Sequence, residues 1–140
     1  MSGSLLFWDA SALVPLLLEE ANSPLVRKLW SNAREAHAWD WVLVEVDAAL
    51  IRRKAGSLIW QDWKKIQLEL RLYSIQNEDL RNLRTLNRGI GLRAADAGHL
   101  FLYYSLVQRF FELELITFDR EMIEAASRLR LPLHPACTQS

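Results

Sequence analysis

The sequence predicts an α/β fold of three layers, α/β/α, with helices covering both faces of a mostly parallel central sheet of four to five strands. Three observations carry that expectation. Leu5 to Trp8 is apolar at every position, as a strand buried on both faces of a parallel sheet is. Longer stretches repeat apolar residues at steps of three and four, the helical period. Strand and helix signals also alternate along the chain, the pattern left by crossover units of a parallel sheet.

Taken in order, Leu5 to Trp8 is the first strand, and the helix that follows from Ala10 carries Leu13, Leu16 and Leu17 on one side. Asn22, Ser23 and Pro24 combine a capping residue with a first-turn proline, so a short second helix starts there, with Leu25, Leu29 and Trp30 as its apolar side. Ala36 to Ala38 is a brief second strand, after which Asp40 caps a helix from Trp41 to about Lys54. Gly56 and Ser57 close that helix and open another, with Ile59, Trp63, Ile66, Leu70 and Tyr73 as its core stripe. A mostly polar helix spans Asn77 to Arg88, stopped by Gly89 and Gly91. Leu92 to Gln108 is apolar almost all round and therefore central and buried. Leu113, Leu115, Ile116 and Phe118 mark a strand, residues 120 to 130 a helix, and Leu131 to His134 a last edge strand beside Pro132. No repeat or second domain interrupts residues 1–140, and residues 135–140, with the lone Cys137, form a short tail.

The composition excludes several classes of protein. With 51% hydrophobic residues and six Trp against five Gly and four Pro, the chain is neither disordered nor collagen-like. The longest stretch without Asp, Glu, Lys or Arg, Ala97 to Gln108, is too short for a membrane span. Met1 to Trp8 lacks a basic start and meets Asp9 after a short apolar run, unlike a secretory signal, so a cytoplasmic location is expected. Seventeen basic and seventeen acidic residues cancel, yet residues 52–93 hold ten basic against four acidic. That segment is either a set of solvated helix faces or a basic rim beside an acidic site.

Four acids stand in apolar settings. Asp9 and Asp119 each follow directly on a strand, at the carboxyl edge where open parallel sheets bind ligands. Each also has the position of a helix cap. Glu45 lies within Trp-Val-Leu-Val-Glu-Val, and Asp96 within the apolar stretch from Leu92 to Tyr104. Burying an ionised carboxylate costs several kcal/mol unless it is paired or binds a metal, so both need a partner, either Arg93 or Arg52 or a cation. Without a Cys or His cluster of ligand spacing, an all-oxygen site suits Mg²⁺ or Mn²⁺ rather than zinc. Such a site suits attack of water on a phosphodiester and needs no protein nucleophile. His99, three residues after Asp96, is either structural or in touch with this site.

The segments Phe-Trp-Asp-Ala-Ser-Ala-Leu-Val, Val-Glu-Val-Asp-Ala-Ala-Leu-Ile-Arg-Arg, Gly-Leu-Arg-Ala-Ala-Asp-Ala-Gly-His-Leu and Ile-Thr-Phe-Asp-Arg, in that order, resemble the PIN-domain nucleases. They are most similar to the VapC toxins of toxin–antitoxin pairs, and the resemblance spans Leu5 to Leu133. It implies a PIN-like fold and a Mg²⁺- or Mn²⁺-dependent endoribonuclease whose acidic quartet is Asp9, Glu45, Asp96 and Asp119. Ser11 and Thr117 match hydroxyl positions that would orient carboxylates in the quartet. The resemblance further implies a structured RNA substrate such as tRNA or ribosomal RNA, a homodimer, and a cognate antitoxin protein. Three positions depart from the family's pattern: Trp8 is bulkier than usual, Asp40 replaces a Ser or Thr, and Gly98 replaces a larger apolar residue.

Residues 52–93 would hold the RNA backbone. Trp60, Leu68 and Leu72 fall off the stripe of their helix and either face a protein partner or pack internally. A catalytically silent PIN-like module that binds RNA or protein is the alternative. A phosphatase is disfavoured because Ser11 stands where a second Asp is wanted, and a phosphoacceptor domain because no lysine follows Lys65.

Overall fold

Alternate side chains of the first strand decide the layering. In the computed structural model, which describes residues 3–138, β1 (Leu5–Trp8) is buried at all four positions. Leu6 and Trp8 point into one core and Leu5 and Phe7 into another, as the two-residue period of a strand requires. The first core is completed by α1 (Ala10–Leu17), α2 (Ser23–Asn32), α3 (Val42–Arg52) and α4 (Ser57–Glu69). The second core holds residues of α6 (Ala94–Val107) and α7 (Arg120–Arg128), with α5 (Leu80–Ile90) at its margin. The fold is therefore α/β in three layers, as the sequence predicts.

Four strands form the sheet among the described residues, all parallel: β1, β2 (Glu35–Trp39), β3 (Leu70–Tyr73) and β4 (Leu113–Ile116), in the order β3-β2-β1-β4. The chain leaves β1 toward β2 on one side and returns at the end to β4 on the other. The strand order thus reverses between β1 and β4, the point at which such sheets open a crevice at their carboxyl ends. No helix among the described residues is long and apolar enough to cross a membrane.

Several expectations are corrected. The helix opened by Ser57 ends at Glu69 rather than Tyr73, and Leu70–Tyr73 is the edge strand β3. Register with β2, Ala36 beside Leu70 through Trp39 beside Tyr73, outweighs the helical spacing, and the Tyr73 hydroxyl meets His37 Nδ1 at 2.6 Å. With Leu72 on that strand, the three off-stripe residues share no helix surface. Trp60 packs on the first core while Leu68 is exposed. Leu131 to His134 yields one bridge, Leu115 with Leu133, so there is no fifth strand among the described residues. Asp40 does not cap α3, whose capping residue is Trp41, because its carboxylate accepts from Ser74 Oγ. Asn77–Asp79 is a 3₁₀ turn preceding α5. Gly89 lies inside α5, and Gly91 ends the helix at φ 68°, a conformation that suits glycine.

The supposed tail is folded in as far as Thr138. Pro135–Thr138 forms a 3₁₀ turn, and Cys137 is buried, its Sγ accepting from Thr117 N at 3.4 Å and donating to Leu115 O at 3.2 Å. Residues 139–140 lie outside the described residues.

Candidate active site

Register builds the site's first pair. Trp8 lies beside Ile116, so the next residues of the two strands, Asp9 and Thr117, are neighbours beyond the sheet. Thr117 Oγ1 donates to Asp9 Oδ2 at 2.9 Å, and Ser11 Oγ, from the first turn of α1, donates to Asp9 Oδ1 at 2.7 Å. The two hydroxyls are 3.2 Å apart, and each also accepts a backbone N–H: Ser11 from Phe118 at 2.9 Å and Thr117 from Asp119 at 3.1 Å. Ser11 and Thr117 therefore hold the Asp9 carboxylate in one orientation and tie it to the loop that carries Asp119.

Each of the four acids stands at a helix start. Asp9 and Asp119 are the capping residues of α1 and α7, Glu45 is in the first turn of α3, and Asp96 in the first turn of α6. Each acid thus lies beside the partly positive end of a helix. Asp119 does cap its helix, Oδ1 accepting from Met122 N at 3.0 Å, while Asp9 makes no such bond because both of its oxygens are taken by hydroxyls.

The pairing expected of Glu45 is different from Arg93 or Arg52, both of which are exposed. His99 Nε2 donates to Glu45 Oε1 at 2.6 Å. His99 is fully buried, its ring meeting Trp39 edge-on at 4.9 Å and 83°, and its Nδ1 has no partner among the described residues. Trp39 fits there because residue 98 is glycine: a Cβ would lie 2.5 Å from the indole ring. The sequence signal for His99 was its place three residues after Asp96, on nearly the same face of α6. Glu45 and Asp96 are half-buried rather than fully buried.

Electrostatics couple the quartet. Burial pushes the Asp9 carboxyl up to about 6, opposed by His99 and by the Ser11 and Thr117 hydrogen bonds and reinforced by Asp96. Asp96 is also raised, chiefly by burial, then by Asp119, with a smaller push from Glu45. Asp96 is therefore the acid that feels each of the other three. Their donors are all hard oxygens, which suits Mg²⁺ or Mn²⁺, and a cation would relieve the repulsion that raises Asp9 and Asp96. Among the described residues, however, no three His, Cys, Asp or Glu side chains are gathered closely enough to hold a metal as they stand. Asp9, Glu45 and Asp119 are instead each engaged by a protein hydrogen-bond donor.

Beside Glu45 and Ser11 a cavity of about 650 Å³ opens between α1 and α3, with Phe118 on one wall. No family model matches the chain, and no curated protein matches it.

Proposed function

We propose that this chain is a Mg²⁺- or Mn²⁺-dependent endoribonuclease of the PIN-domain kind, the toxin of a VapBC-type pair. The observation that carries the reading is that Asp9, Glu45, Asp96 and Asp119 each stand at a helix start and are coupled through Asp96, with Asp9 raised by burial and Asp96, and Asp96 raised by burial, Asp119 and Glu45. Asp9, Asp96 and Asp119 would hold the ion, with Glu45 beside them. The ion, when bound, polarises a phosphodiester and makes water a competent nucleophile at neutral pH.

The chain's own residues do the rest. Ser11 and Thr117 fix the Asp9 carboxylate, and His99 holds Glu45 through Oε1. Of the ten basic residues between 52 and 93, Arg53 is paired with Glu20 at 3.3 Å and Arg71 with Glu35 at 3.4 Å. Arg81, Arg84 and Arg88 form an exposed row on α5, and Arg93 caps α6 near Asp96. This row is where an RNA backbone would be held, so binding would weaken as salt rises. A homodimer and an antitoxin partner belong to the same reading.

Labelled bulk tRNA and ribosomal RNA, incubated with wild type and Asp9→Asn in Mg²⁺, Mn²⁺ or EDTA, test it. Discrete fragments from wild type alone, lost in EDTA, are expected. Fragments that persist in EDTA, or in Asp9→Asn, would overturn it. One observation favours a second reading, a catalytically silent RNA- or protein-binding module: no three of the described acids stand ready as a ligand cluster. Retained RNA affinity without cleavage in either metal would select it.

A further inference from the structure

We infer that the cavity between α1 and α3 is a nucleoside subsite, which takes the base next to the phosphodiester held at the acidic quartet. The inference rests on the nuclease reading and names where its substrate's specificity would reside. Glu45, Ala48, Ala49 and Arg52 occupy one face of α3 at steps of three, one and three, and all four line the cavity. A carboxylate of the quartet thus stands at one end and a guanidinium about 10 Å along the helix axis at the other. Two alanines leave open the space between them.

The size and chemistry of that space fit a nucleotide. Its volume, about 650 Å³, lies within the range of small-molecule sites. Phe118 offers an aromatic wall, half-buried and anchored because its own N–H donates to Ser11 Oγ at 2.9 Å. Bases of single-stranded RNA stack on such rings regardless of sequence. Asn22 adds an amide that can donate to and accept from a base edge. Arg52 is exposed and forms no ion pair among the described residues, whereas its neighbour Arg53 is taken by Glu20. Arg52 is therefore free for the adjoining phosphate. The cavity is continuous with the site, since Ser11 and Glu45 belong to both.

The test is an amide-resolved NMR titration of the ¹⁵N-labelled protein, without metal, with each of the four 5′-nucleoside monophosphates. Ribose 5-phosphate and argininamide are run beside them. Saturable shifts at Asn22, Ala48, Ala49 and Phe118 with nucleotides, and not with ribose 5-phosphate, are expected. Phe118→Leu should weaken nucleotide affinity by at least about five-fold through lost stacking. Ala49→Leu should abolish the shifts by filling the cavity, with the dispersion of each variant's spectrum reporting its fold. Equal response to ribose 5-phosphate, or shifts with argininamide alone, would overturn the subsite, the latter in favour of a protein partner's basic side chain. Cleavage of RNA by wild type with no nucleotide shift in the cavity would also overturn it and leave the nuclease standing. Nucleotide shifts in a protein that cleaves no RNA would support the subsite and sink the nuclease.

Discussion

Asp9 carries the largest electrostatic cost in the site, and its sign can be worked through. Its carboxyl titrates near 6 in the folded protein and near 3.8 when unfolded. Between those values the folded state binds the extra proton, so stability falls as pH rises from about 4 to about 6 and stays lower above. Asp9→Asn removes that cost, and we expect it to raise stability at pH 7.5 by about 2 kcal/mol while leaving it little changed at pH 4. Urea unfolding at the two pH values measures this; equal effects at both would show that burial does not penalise the charge. Gly98→Ala acts on the same pocket from behind. The new Cβ would lie 2.5 Å from the Trp39 ring, which must swing off His99. A loss of about 1–3 kcal/mol is expected in the same assay, with a change in tryptophan emission. Unchanged stability and emission would mean that Trp39 yields freely. Asp9 and Asp119 were legible from their place directly after strands, and Glu45 and Asp96 from their apolar runs, although both of the latter are half-buried. The identity of the partner of Glu45 was not, since His99 lies 54 positions away and only the tertiary fold brings its Nε2 within 2.6 Å of Glu45 Oε1.

At the scale of elements, strands and helices were legible wherever local pattern and tertiary contact agree. Leu70–Tyr73 is where they part: Ile66, Leu70 and Tyr73 continue the helical spacing of α4, and neither Gly nor Pro marks the stop at Glu69. Only pairing with β2, more than thirty residues earlier, makes a strand of it. Leu131 to His134 errs the other way: Leu115 N–H donates to Pro132 O and His134 N–H to Leu115 O, which makes one bridge, and the chain then turns into the 3₁₀ turn at Pro135–Thr138. The Tyr103 hydroxyl lies 2.9 Å from Leu113 O and 2.5 Å from Pro132 O, joining α6, β4 and the returning chain. Burial raises its pKa, so it remains a donor throughout the ordinary pH range. Tyr103→Phe should cost about 1–2 kcal/mol, seen as a lower urea midpoint at unchanged slope. A midpoint equal to wild type would mean that neither carbonyl depends on this bond.

Across the whole molecule, four helix starts each carry one acid, on a sheet whose strand order reverses between β1 and β4. Helix ends favour negative charge, yet burial, with neighbouring acids adding to it, still raises Asp9 and Asp96 above the ordinary carboxylate range. The arrangement is therefore held under tension that a divalent cation would release, and binding that favours the folded state must raise its stability. At an ion concentration about a hundred times the dissociation constant the gain is about 2.7 kcal/mol. In a chain of this length that is roughly 8 °C in melting temperature. Metal ligands must be deprotonated, and Asp9 holds its proton up to about 6, so the rise should be full at pH 7.5 and much reduced at pH 5. Asp96→Asn, which removes the acid coupled to the other three, should abolish it. Melting curves in Mn²⁺, Mg²⁺ and EDTA at the two pH values decide the matter without any RNA present. A wild type that melts at one temperature in all three at pH 7.5 would mean that the quartet serves no ion, and the silent binding module would then be the better account of why these acids face one another.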